Sequence, residues 1–331
     1  MSEKQTVIVK LDNRVRLISA VLALTDWPEK SQHIKAHGTH AHARNTRKVL
    51  KDHQHHPAVQ SLQALLDKNA PLEAIYTLAM QMAWPSLNGT TLPSWAPSEW
   101  DKQLVDFYNT TGLEAWWAKE DALWQRGLTD AQKMMGRADI KPFMASILGD
   151  IPETLVFIPN ISYPTNREIG IRVGNELICI APPPLAWGDS PPWPFDEDPA
   201  YIYRTAIVAY GKMILTAAFK AHPERVEEAR KAKMPVDDNF RKKYPKWEDQ
   251  YMTLFMNGMV AIYLEEHVSS ADYKAFVLLE HKAFGMVILP GVVSVLRRYL
   301  EQLRAGNYQS LADFLPMFPK QLRIAKRITT L

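Results

Sequence analysis

Cysteine is almost missing from this chain: Cys179 is the only one among 331 residues. A single thiol excludes an intrachain disulfide framework and any zinc site built from several cysteines. Long apolar runs are missing too. No stretch approaches the roughly 20 uninterrupted apolar residues of a membrane span. The opening Met1-Ser2-Glu3-Lys4-Gln5 leads into Val7-Ile8-Val9, which is far too short for the apolar region of a signal peptide. These two absences set the expectation of a cytoplasmic protein. Net charge is small, only +3, so there is no global electrostatic case for a nucleic-acid or membrane-surface partner. There is no HExxH, no Gly-rich phosphate loop and no Gly-x-Ser-x-Gly elbow. No internal repeat shows at periods of roughly 20 to 50 residues.

What is present is ordinary globular composition, 47% apolar and 23% charged, with ten tryptophans. That many tryptophans means large aromatic anchors in a core, and sometimes a binding cleft. A short strand is expected at Val7–Val9. Asp12 is placed to cap a helix bearing Val15, Ile18 and Leu22, which Trp27-Pro28 ends. Residues 31–56 are polar and rich in histidine. Pro57 and Pro71 each start a helix, residues 83–97 read as a loop, and Ser98 with Asp101 resembles a capping arrangement. The period then changes. Leu155–Ile158 is an apolar run, Ile169, Ile171 and Val173 alternate, Gly174-Asn175 supplies a turn and Leu177–Ile180 follows, a β-hairpin with one extra strand. Seven prolines in 182–199 forbid regular structure there. Helical patterns return at 202–219, 247–267 and 270–303, with Pro290 placed to kink the last. The expected fold class is α+β and predominantly helical, with an N-terminal helical region (1–150) and a region of hairpin, proline-rich loop and helices (151–331).

Four groups of residues are candidates for chemistry. Seven of the ten histidines lie between 33 and 56. His33 and His37 at i, i+4, and His37 and His40 at i, i+3, have a spacing that holds a divalent metal, with His42 nearby. The competing reading is a solvated histidine-rich face, and His56 before Pro57 reads as a helix start. Asp196, Glu197 and Asp198 offer carboxylates, against the blander reading of a solvated loop. Cys179 inside a strand reads as a small buried hydrophobe. Lys320, Arg323, Lys326 and Arg327 form a basic face that reads as a solvated tail.

Taken in order, four segments resemble an uncharacterised bacterial family of gluzincin-type metallopeptidases. They are Leu11-Asp12-Asn13-Arg14-Val15-Arg16-Leu17-Ile18-Ser19, then Asp52-His53-Gln54-His55-His56-Pro57-Ala58-Val59, then Trp100…Phe107-Tyr108…Trp116-Trp117, and Tyr308-Gln309-Ser310-Leu311-Ala312-Asp313-Phe314-Leu315-Pro316. The resemblance implies a zincin-like fold, helices around a small antiparallel sheet, with HExxH on the helix after the strands. Here that helix reads Ile207-Val208-Ala209-Tyr210-Gly211-Lys212-Met213. The two imidazole positions fall on Ala209 and Met213, the general-base position on Tyr210, and the third ligand near Met256. Alanine has no donor atom and a thioether is a poor zinc ligand, so the usual zincin route to water activation is closed.

Two classes of function follow. The first is a catalytically degenerate, metallopeptidase-like protein that binds a peptide or protein segment without cofactor. Its cleft would be framed by the hairpin, the proline-rich loop and the 202–219 helix, with Trp187, Trp193, Tyr210, Met213 and Met256 as contacts; the blander reading has the two tryptophans clamp the loop to the core. The alternative is a metal-dependent enzyme or metal-binding protein using the His33–His56 cluster, with His33, His37, His40 and His42 as the candidate ligands. Oligomeric state stays open.

Overall fold

The computed structural model describes residues 7–31, 39–185 and 192–329, and side chains over 7–30, 39–185 and 192–323. His33, His37 and Trp187, and the side chains of Lys326 and Arg327, lie outside these. The chain divides into two compact units that are discontinuous in sequence: Met1–Arg137 with Glu153–Ile202, and Ala138–Pro152 with Tyr203–Leu331. The expected division near residue 150 falls inside the short segment that belongs to the second unit.

The first unit holds β1 (Val7–Val9), α1 (Asn13–Leu24), α2 (Trp27–Ser31), α3 (Ala41–Val49), α4 (Pro57–Asp67), α5 (Leu72–Gln81), α6 (Trp100–Thr110), α7 (Leu113–Lys119) and α8 (Asp121–Met135). It is completed by β2 (Thr154–Pro159), β3 (Ile169–Val173) and β4 (Glu176–Ala181). The sheet order is β1-β2-β4-β3. The expected hairpin is present as antiparallel β3 and β4, but β1–β2 and β2–β4 are parallel. The sheet is therefore mixed, and the expectation of an antiparallel one is corrected. The sequence already carried the reason: Leu155–Ile158 and Leu177–Ile180 are continuous apolar runs, buried on both faces, which suits inner parallel strands better than the alternation of a half-exposed hairpin. β1 is an edge, with Val7 and Val9 buried and Ile8 exposed. α5 packs against β3, and α8 against β1 and β2.

Asp12 caps α1 as expected, its Oδ1 accepting from the Arg14 N–H at 2.9 Å. The same carboxylate takes Arg14 Nε and Nη2 at 2.9 and 2.6 Å, while Nη1 donates to the carbonyls of Met80 and Met82 at 2.7 and 3.1 Å. One arginine thus joins the start of α1 to the end of α5. Other expectations need local correction. Trp27-Pro28 opens the short α2, since α1 already ends at Leu24. The polar 31–56 stretch contains α3. The residue preceding α6 is Glu99, in the left-handed region at φ 55° and without a side-chain cap, so Ser98 is not the cap.

The second unit holds α9 (Ile140–Leu148), α10 (Pro199–Ala221, its first turn counted with the first unit), α11 (Pro223–Arg230), α12 (Asp238–Lys243), α13 (Trp247–His267), α14 (Ser270–Phe284), α15 (Leu289–Arg304), α16 (Leu311–Phe314) and α17 (Met317–Thr329). α13 is its axis, buried almost continuously from Gln250 to Leu264 and packed by α14 and α15. Pro290 does not kink a long helix. Gly285, at φ 69°, ends α14, and Pro290 sits in the first turn of a separate helix, α15. Proline is well tolerated there because the first-turn N–H groups have no helical partner. Among the described residues no helix is long and apolar enough to cross a membrane.

Candidate functional site

Parallel strands β2 and β4 finish side by side at Pro159 and Ala181, and the Asn160 N–H extends the pairing by donating to the Ala181 carbonyl at 2.8 Å. The space beyond the carboxyl ends of parallel strands is where side chains from several loops converge. Here it is a pocket of about 200 Å³. Ile161 and Pro183, just past the two strand ends, form one side. A row along α8, Leu123, Gly127 and Asp130 with Arg126, forms the second, at the i, i+4, i+7 spacing of one helix face. His40–His42, at the start of α3, and Pro192–Phe195 complete the wall.

The 192–195 segment is held in place by its own bonds. The Trp193 N–H donates to the Pro184 carbonyl at 3.2 Å, and just beyond it Asp196 pairs with Lys133 of α8 at 2.6 Å. Phe195 is buried, edge-on to Phe157 of β2. Trp193 and Leu123 remain 42% and 43% exposed, so the lining reaches the surface through two large apolar side chains. Gly127 opens the helix wall: a Cβ there would lie 3.4 Å from Ile161 Cγ2 and 3.7 Å from the Phe195 ring.

The imidazoles of the wall are buried and neutral. His42 Nε2 lies 3.2 Å from both Trp124 Nε1 and Thr46 Oγ1. The indole can only donate, so Nε2 is the acceptor and the proton sits on Nδ1, facing Glu120 Oε2 at 3.6 Å. That separation would be an ion pair only for a charged ring. Burial, with the Arg16 charge added, instead pushes the His42 pKa down to about 3. His40 is likewise held down to about 3, by burial first and then by His42 and Arg44. Its Nε2 has no hydrogen-bond partner among the described residues. Behind His42, the Arg16 guanidinium lies between the rings of Trp117 and Trp124, at 4.4 and 4.6 Å. Burial lowers its pKa to about 10, which leaves it charged. The carboxyl of Asp130 is raised, by burial and then by Asp196 and Glu197, against the opposing charges of Arg126 and Lys133.

Of the residues singled out from sequence, Trp193, His40 and His42 meet at this pocket. Tyr210, Met213 and Met256 belong to the second unit, so neither unit by itself assembles them with Trp193. Tyr210 and Met256 are fully buried and Met213 half-buried. Met256 lies against Gly211, where an added Cβ would collide with its sulfur. Ala209, Met213 and Met256 supply no imidazole or carboxylate, so this helix pair cannot hold zinc in the zincin manner. Among the described residues no three His, Cys, Asp or Glu side chains are placed to hold a metal ion together. The other candidates have local duties. His56 caps α4, its Nδ1 accepting from the Ala58 N–H at 3.1 Å. Asp198 caps α10, accepting from the Tyr201 N–H at 2.9 Å. Cys179 is buried, and burial pushes its thiol well up. Lys320 pairs with Glu228 at 2.9 Å. Leu123, Gly127, Asp130, Ile161 and Phe195 were not anticipated; the detectable signal was a glycine breaking an otherwise good helix face on α8.

No protein-family model, curated protein or solved structure matches this chain. The functional reading therefore rests on the pocket.

Proposed function

We propose that this is a binding protein whose first unit holds an apolar side chain of a peptide or protein segment in the pocket at the ends of β2 and β4. The observation that carries the reading is the combination of a largely apolar cavity of about 200 Å³ with an exposed tryptophan on its wall. A dry apolar cavity of roughly 150 Å³ accommodates a benzene-sized ring, so the volume suits one aromatic or branched aliphatic side chain. Trp193 then has the character of an anchor rather than a core residue. The few polar groups, two neutral imidazoles and the Asp130–Arg126 pair, are the kind that orient a ligand inside an apolar site.

The test is titration of short peptides carrying Phe, Leu or Ala at one position, followed by tryptophan fluorescence and calorimetry. Phe and Leu peptides are expected to bind and the Ala peptide to bind far more weakly. Trp193→Ala should weaken binding roughly 30-fold, as for an anchor worth about 2 kcal/mol. Gly127→Leu, which fills the cavity, should abolish it. Unchanged binding in both variants would place the peptide elsewhere and sink the proposal.

A further inference from the structure

Asp130 is the unusual group in the pocket. Its side chain is only 16% exposed, yet among the described residues it accepts no hydrogen bond. Its one ion pair, Arg126 Nε to Oδ2, is loose at 3.8 Å. Asp130 is half-buried and lines the cavity, so its carboxylate is short of protein donors on the side where a ligand would sit. Of the two bases near it, Lys133 is engaged by Asp196 at 2.6 Å, so Arg126 is left as its counter-charge.

We infer that the pocket takes the first residue of a peptide, with its apolar side chain in the cavity and its free α-ammonium on the Asp130 carboxylate. This rests on the reading of the pocket as a peptide site and adds the chemical class of the ligand. An ammonium brings three donors and no acceptor, so it satisfies the carboxylate without introducing a new unpaired acceptor. The reach also fits. Leu123 and Asp130 stand seven residues apart on α8, roughly 10 Å at 1.5 Å per residue. An ammonium at the Asp130 end leaves the apolar stretch toward Leu123, opposite Ile161 and Phe195, for the side chain carried on the same Cα. A lysine side chain would place its charge at the far end of a thin stem and leave the broad aromatic part of the cavity unfilled.

The experiment is calorimetry of the full chain at about pH 6.5, where an α-amino group is protonated. The probes are the amide of Phe-Ala-Ser-Ala, its N-acetylated form, and an N-acetylated peptide with an internal lysine. Acetylation is expected to weaken binding at least tenfold. Asp130→Asn should erase that difference by lowering affinity for the free peptide alone, with a circular dichroism spectrum like that of the parent. Equal affinity for free and acetylated Phe peptides would overturn the ammonium assignment and leave the pocket standing. Comparable binding of the acetylated lysine peptide would overturn it in favour of a side-chain cation. Failure of every apolar peptide to bind would remove the pocket reading itself, and this inference with it.

Discussion

Burial holds His40 and His42 neutral down to about pH 3, whereas in the unfolded chain an imidazole takes its proton near pH 6.5. Below pH 6.5 the unfolded state gains protons that the folded state refuses. Stability that is complete above that pH is therefore lost progressively as pH falls toward 3, by about 1.4 kcal/mol per pH unit for each ring. Urea denaturation across about pH 4–8 should show this slope. The two histidines should differ on replacement. His40→Leu removes an imidazole whose Nε2 is unpartnered, so it should flatten the slope at little cost near neutrality. His42→Leu strips the acceptor from Trp124 and Thr46 and should cost about 2–4 kcal/mol, as two buried donors go unpaired. The sequence showed the cluster of histidines but not this division of labour. Spacing along a chain says which imidazoles are close, while burial, which decides their charge, depends on tryptophans 70 and more positions away.

Among the elements, close approach of helices is set by glycine, and two glycines make opposite predictions. A Cβ on Gly258 of α13 would sit 2.6 Å from both Leu296 Cδ1 and Val292 Cγ1 of α15. Gly258→Ala should therefore cost about 1–3 kcal/mol. Gly127→Ala meets only ordinary contacts on α8 and should gain up to about 1 kcal/mol from helix propensity. Thermal melts of the two variants against the parent check both signs. Most elements were legible because their signals are local: Pro57 and Pro71 at helix starts, Asp12 as a cap, Gly174-Asn175 between β3 and β4. The segments that carried the family resemblance have local structural work as well. Asp12 and Arg14 clamp α1 to α5, His56 caps α4, and Ser310 with Asp313 forms a capping box on α16. Such devices serve any helical fold that needs them, which is why they speak to architecture more than to chemistry.

At the scale of the whole molecule, sequence reasoning found most of the pieces and missed how the strands are paired. β1 lies beside β2 in parallel register, Val7 opposite Leu155, and nothing local to Val7–Val9 names so distant a partner. The pocket was half legible for the same reason. Trp193 stood out as a large aromatic in a proline-rich loop, but its neighbours on α8 and beyond β2 are supplied by topology.

The discontinuity of the two units also bears on the chain's synthesis. α9 emerges from the ribosome in the middle of the first unit, yet the groups that receive it are made much later. Phe143 packs on Tyr263 and His267, and the Ile147 carbonyl accepts from Tyr299. Its partners follow on the order of 100 residues later, an interval of roughly 5–20 seconds at ordinary translation rates. During that time Ile140, Phe143, Met144 and Ile147 form an apolar ridge on a nascent polypeptide whose first unit gains the last of its sequence, at Ile202, before those partners are made. A ribosome stalled after Ile202 should display that ridge to holding chaperones, with crosslinks from position 143 that vanish once the full chain is released.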